Sequence, residues 1–246
     1  MYLFRYAVDS RNLTKTEGCG LLPFRDHIRS RTNPWVTLAI IALNVAVFVY
    51  ELSLGPALEG FLQTYAVVPA RFMELLERSG GWAQAAPSIV TSMFLHGGWL
   101  HLILNMWFLW IFGDNVEDRL GHVRYLLLYL AAGAAATIAH VAANSASTIP
   151  TVGASGAIAG VLGAYFVTYP RARVTTLIPI FVFIHIAELP AWVVLGMWFA
   201  LQFLSGALSL ATTQASAGGV AWWAHIGGFA AGALLMPLLS IGRRRR

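Results

Sequence analysis

The run P-W-V-T-L-A-I-I-A-L-N-V-A-V-F-V-Y-E-L-S-L (34–54) holds one charged residue, Glu51, in 21 positions. As a helix rising 1.5 Å per residue it would cover about 30 Å, the thickness of a bilayer's hydrocarbon core. Pro34 stands where a first helical turn needs no N–H, and Gly55-Pro56 stop the run. Five more apolar runs follow, at roughly 87–112, 123–143, 152–169, 190–210 and 220–241. The whole chain is 58% hydrophobic and 11% charged, which leaves too little polar surface to coat a soluble domain. The pattern predicts an all-α polytopic membrane protein, a bundle of six transmembrane helices with a long first outer loop at 55–86.

Charge sets the expected orientation. With six spans, 14 of the 16 Lys and Arg residues fall on the side of the two termini, and only Arg71 and Arg78 fall opposite. The positive-inside rule then places both termini in the cytoplasm. The apolar stretch at 174–187 is short for a span and interrupted by Pro179, so it reads as interfacial or re-entrant. A seventh span there would also carry Arg243 to Arg246 to the outer side. That basic run reads as a topology signal rather than a nucleic-acid site. The expected organisation is a basic cytoplasmic tail (1–33), a membrane domain (34–242) and the Arg tail (243–246). Cys19 is the only cysteine, which excludes an intrachain disulfide and a multi-cysteine metal site. The first apolar run begins too far in for a cleaved leader and is expected to be retained.

Polar side chains within spans are costly, so each needs a reason. His96, His101 and Asn105 lie in the second run, Ser155 in the fourth and His225 in the sixth; Asn44 and His140 are others. The second, fourth and sixth runs share one direction, and His101, Ser155 and His225 all fall near their outer ends. Ser155 sits between small residues in Gly153-Ala154-Ser155-Gly156, at a helix start whose free N–H groups suit a developing oxyanion. Gly228 and Gly232 form a G-x-x-x-G ridge next to His225. If that ridge packs on the fourth helix, His225 comes within reach of Ser155.

No carboxylate is available behind the histidine, since those at outer depth lie in the 51–77 segment or near its edge, so the constellation reads as a Ser–His dyad without a third acidic member. His101 and Asn105 are four residues apart, face one way, and both can donate to an oxyanion. His96 is turned away from them, as a group behind the site or at its entrance. Zinc is the rival for this cluster, but there is no H-E-x-x-H and no acid at that depth, so neither metal nor cofactor is expected. A transporter would need paired charges near the midplane, and these groups lie nearer one surface.

Three motifs, H-G-G-W-L-H-L-I-L-N (96–105), G-A-S-G (153–156) and A-H-I-G-G-F-A-A-G (224–232), in this order, resemble the rhomboid intramembrane serine proteases. The resemblance covers about residues 30 to 242 and takes in the polar stretch Gly113 to Gly121, read as a turn. It implies Ser155 as nucleophile and His225 as base, with His101, Asn105, Gly153 and the Ser155 N–H around the oxyanion, and His96 beside them. It implies single-span or polytopic membrane-protein substrates in a lipid bilayer, a bacterial inner membrane and a site open to the outer side. A non-catalytic binder that escorts membrane clients is the other reading within such a family. Many members carry a Tyr four residues after the serine, on which the histidine ring stacks. Here that position is Ala159, and Trp222 or Trp223 is the candidate replacement. The Trp-Arg pair common in the first outer loop is not evident, although Trp82 is nearby.

Overall fold

A computed structural model describes residues 21–180, 183–211 and 221–242. Cys19, the Gly218-Gly219 pair before the last helix, and the Arg tail lie outside these described residues.

Each of the six apolar runs contains a long helix. These are α1 (Trp35–Ser53), α5 (Trp99–Leu120), α6 (His122–Ala143), α7 (Ser155–Thr168), α8 (Ala191–Ala211) and α9 (Trp222–Leu239). The loop between α1 and α5 folds into three short helices, α2 (Leu58–Tyr65), α3 (Pro69–Glu77) and α4 (Gly81–Thr91). Among the described residues, α1, α6, α9 and Ala191–Leu208 of α8 are each long and apolar enough to cross a bilayer. The α4–α5 pair qualifies when taken together, so the structure holds four or five candidate spans rather than six equal ones. The exception is α7, with 14 residues, and its position explains its length. Residues 156–165 are all buried, so protein rather than lipid surrounds it. Its start can therefore sit below the membrane surface, approached by a half-buried loop.

Two boundaries differ from the sequence reading. The second span does not run through 87–112. It breaks at Gly97-Gly98, where Gly81–Phe94 and Trp99–Leu120 are bent by 85°. Nor does it stop at Gly113. The polar stretch from Gly113 to Leu120 is the last two turns of α5, which ends at Gly121 in a left-handed conformation (φ 74°). Gly113 is a point of close approach instead, since a Cβ there would stand 2.8 Å from the Tyr125 hydroxyl and 3.1 Å from Thr37.

The fold is not purely helical. The stretch read as interfacial forms β2 (Arg173–Ile180) and β3 (Phe183–Pro190), an antiparallel hairpin; β1 (Leu22–Asp26) adds antiparallel to β2, giving the order β1-β2-β3. Val, Thr, Ile and Phe favour a pleated surface, and Pro179 forbids a helix interior. Pro179 is tolerated because β1 reaches only to Leu177, so β2 has a neighbour on one side at that point.

This small sheet and the C-terminal end of α5 are tied together by carboxylates. Asp26 accepts from Asn115 Nδ2 (2.7 Å) and from the Tyr165 hydroxyl (2.8 Å). Glu117, fully buried, accepts from Val36 N (2.9 Å), Thr37 N (2.8 Å) and Thr37 Oγ1 (2.7 Å), and pairs with His122 Nδ1. It therefore closes the free N–H groups of the first turn of α1, where the helix dipole favours a negative charge.

Candidate active site

The site begins with how α7 and α9 meet. A Cβ on Gly228 would stand 2.0 Å from the Gly156 carbonyl oxygen, and one on Gly232 would stand 1.8 Å from the Gly160 carbonyl oxygen. Such contact is possible only without side chains, and a step of four on each helix marks them as parallel. Ser155, the first residue of α7, and His225, in the first turn of α9, therefore lie at one level. His101, the third residue of α5, joins them there.

The loop before Ser155 is pinned from both sides. Thr151 and Val67 exchange hydrogen bonds (Thr151 N to Val67 O, 2.7 Å; Val67 N to Thr151 O, 3.3 Å), and Gly153 N donates to Ser92 O at 2.9 Å. Gly153 has φ 126°, a conformation closed to most side chains. A Cβ on it would stand 2.7 Å from His101 Nε2 and 3.6 Å from Ser155 Oγ. That one point shows the convergence of His101 and Ser155. A cavity of about 30 Å³ touches Ser155, Gly153, Ser92, Thr137, Thr151 and Ala224, with room for a water or two.

Hydrogen bonds fix the two imidazoles in opposite senses. Gly97 N donates to His101 Nδ1 at 3.4 Å, so a neutral His101 carries its hydrogen on Nε2, the nitrogen nearest Gly153 and Ser155. His225 Nδ1 lies 2.7 Å from Gln202 Oε1, which only accepts, so a neutral His225 carries its hydrogen on Nδ1 and leaves Nε2 with a lone pair. One ring is a donor at Nε2 and the other an acceptor.

Asn105, one turn along α5 from His101, is buried, and its Nδ2 has no hydrogen-bond partner. The first N–H groups of α7, that of Ser155 included, have no acceptor within the helix. Donors left open in a buried place invite an explanation, and an anion that forms only during reaction is one.

Of the two places its spacing allowed, behind the site or at its entrance, His96 takes the first. It is 4% exposed, stands edge-on to His101 with ring centroids 5.2 Å apart, and its N–H donates to the buried carboxylate of Glu51 at 3.2 Å. It is a packing neighbour behind His101. No hydrogen bond joins Ser155 Oγ to the His225 ring. Among the described residues no group of three or more His, Cys, Asp or Glu is arranged to hold a metal ion.

Trp222 and Trp223 are not what lies against the His225 ring. Trp198 is, with ring centroids 5.7 Å apart and planes 36° apart. Trp198 and Gln202, both on α8, escaped the sequence reading. The signal was present: Gln202 is a polar side chain inside the apolar run 190–210, and Trp198 lies one turn before it on the same face.

A Rhomboid domain family model matches residues 83–242. RHOMBOID-like protein 4 of Arabidopsis thaliana is 29% identical over 260 residues, covering 96% of this chain and 59% of that protein. Rhomboid protein 1, mitochondrial, of Saccharomyces cerevisiae is 31% identical over 201 residues, covering 80% of this chain and 51% of that protein. Rhomboid protease GluP of Bacillus subtilis is 33% identical over 132 residues, covering 53% of this chain and 24% of that protein. The chain spans about half the length of the curated relatives it matches.

Proposed function

We propose that this chain, which belongs to the rhomboid family, is an intramembrane serine endopeptidase that cuts membrane-protein substrates through Ser155 and His225. The family generally consists of intramembrane serine proteases acting within the bilayer. In this reading Ser155 Oγ bonds to the substrate carbonyl carbon while its proton passes to His225 Nε2. His101 Nε2–H, Asn105 Nδ2–H and the Ser155 N–H hold the oxyanion so formed, and Gly153 keeps the approach to it open. The intermediate collapses, the C–N bond breaks, and the leaving amine takes the proton from His225. Water, activated by the same imidazole, then hydrolyses the acyl-enzyme and restores Ser155.

The observation that carries the reading is the opposed setting of the two imidazoles. His101 is arranged to donate beside Ser155, and His225 is arranged to accept. The charge distribution supports cytoplasmic termini; a bacterial cell membrane and cleavage near its outer boundary complete the proposal.

The test is cleavage of a panel of single-span membrane proteins in liposomes by the wild type and by Ser155→Ala, together with labelling by a fluorophosphonate probe. Labelling and cleavage in the wild type, both lost in Ser155→Ala with insertion unchanged, are expected. Retained cleavage in Ser155→Ala would remove the nucleophile from the scheme. One observation favours a second reading, a rhomboid-like binder that does not cut: the missing hydrogen bond between Ser155 and His225. Failure of the wild type to react with the probe would select that reading.

A further inference from the structure

We infer that Gln202 and Trp198 of α8 are the positioning pair that holds the His225 imidazole for proton transfer. The inference deepens the Ser155–His225 reading and rests on it. Two requirements must be met for an imidazole to act as base towards a serine. The ring must be in the tautomer with a free Nε2, and it must be kept from rotating. Gln202 meets the first. Its Oε1, 2.7 Å from Nδ1, can only accept, so the Nδ1–H tautomer is the one that satisfies both groups.

Trp198 meets the second. Its ring lies along the imidazole at 5.7 Å, and its own place is set by Phe229, 6.3 Å away, which in turn packs on Phe199 at 4.6 Å and Phe166 at 5.7 Å. An aromatic wall from α7, α8 and α9 thus backs the ring, whereas Ala159 is fully buried and too small to support one.

The choice of an amide also follows from the surroundings. The titratable groups that act on His225 are His101 of α5 and His140 of α6, neither of them a carboxylate. A carboxylate at position 202 would be a charge inside a span, with its desolvation cost. Glutamine supplies the acceptor without the charge. The pair sits on α8, whereas Ser155 is on α7 and His225 on α9, so three helices must be in place for the ring to be set.

The experiment uses the full chain in liposomes. Fluorophosphonate labelling rates are measured between roughly pH 5 and 9 for the wild type, Ser155→Ala, Gln202→Leu and Gln202→Glu. With Ser155→Ala silent, Gln202→Leu is expected to label roughly 10- to 100-fold more slowly than the wild type, a part of the ~10²–10⁴ that a positioned base supplies. Gln202→Glu is expected to restore the rate, with the acid limb moved to higher pH because a carboxylate beside the ring favours its protonated form. A side chain at 202 that did not face the ring would not move that limb, and a glutamine needed only for packing would leave the Gln202→Leu rate unchanged. Should Gln202→Leu fail to fold, the Gln202→Glu profile decides alone. Wild-type rate in Gln202→Leu, or an unmoved acid limb in Gln202→Glu, overturns the inference while leaving the dyad standing. A wild type that does not label overturns the dyad, and the inference with it.

Discussion

Gly228 of α9 rests on Gly156 of α7 so closely that any side-chain carbon on Gly228 would overlap the Gly156 carbonyl oxygen, at 2.0 Å. Gly156 follows Ser155, and Gly228 lies just under one turn beyond His225. The contact thereby fixes the separation and the level of the two residues proposed to react.

Gly228→Ala should test that link. Neither carbonyl nor helix backbone can yield locally, so α7 and α9 must separate, at a cost of about 1–3 kcal/mol. Probe labelling of Ser155 should fall with it. Gly196→Ala is the control, since a Cβ at Gly196 meets only Phe166 at an ordinary 3.8 Å. Thermal unfolding in detergent compares them, and equal stability of the two variants would refute a contact-limited interface.

What could be read from the residues depended on whether the signal was local. Apolar length and Pro34 were enough for α1, and the G-x-x-x-G ridge was enough to foresee a close helix pair at His225. The partners were not local. Nothing near His225 in sequence points to Gln202, which is 23 positions away on another helix. At 173–190, shortness and Pro179 exclude a span and leave an interfacial or re-entrant segment, whereas the structure has a hairpin. Its β-branched residues and Pro179 argued for strands. Gly113 was taken as a stop because glycine ends helices often, yet here it lets α1 and α6 cross α5.

Glu117 offers a stability prediction away from the site. Glu117→Ala would leave Val36 N and Thr37 N without their acceptor in a buried place and take from Thr37 Oγ1 the shorter of its two hydrogen bonds. A loss of about 3–5 kcal/mol is expected, as for other broken buried pairs. Thr37→Val removes the two hydrogen bonds of Thr37 Oγ1, to Glu117 and to the Tyr125 hydroxyl, and should cost about 1–2 kcal/mol. Denaturant unfolding in mixed micelles measures both; a Glu117→Ala variant no weaker than Thr37→Val would deny the cap its role.

Asp26 makes the anchoring of β1 depend on pH. Burial pushes its carboxyl up to about 7, against the lowering effect of the Tyr165 hydrogen bond. With the folded value above the unfolded one, the folded state binds the extra proton between about pH 4 and 7. Docking of β1 is therefore strongest at the acid end, weakens as pH rises through that window, and stays weaker above it. Hydrogen exchange of β1 amides, corrected for intrinsic rate, should show more opening at pH 8 than at pH 5. Asp26→Asn should abolish the difference; persistence of the difference would assign it to another group.

Asn105 separates stability from chemistry. Its Nδ2 is buried and unpaired, a cost the resting protein carries. Asn105→Leu replaces the amide with an apolar group of similar size and should therefore raise stability, by about 1 kcal/mol. The same change removes a donor from the oxyanion position and should lower kcat by about 10²–10³. A structural asparagine would give the opposite pairing, lower stability and unchanged kcat in the surviving fraction. His101→Ala should lose rate similarly, and the double variant should lose little more than the worse single one if both donors serve one oxyanion. Thermal unfolding and single-turnover cleavage on the same preparations decide it. An Asn105→Leu protein that is both less stable and fully active would place Asn105 among the packing residues.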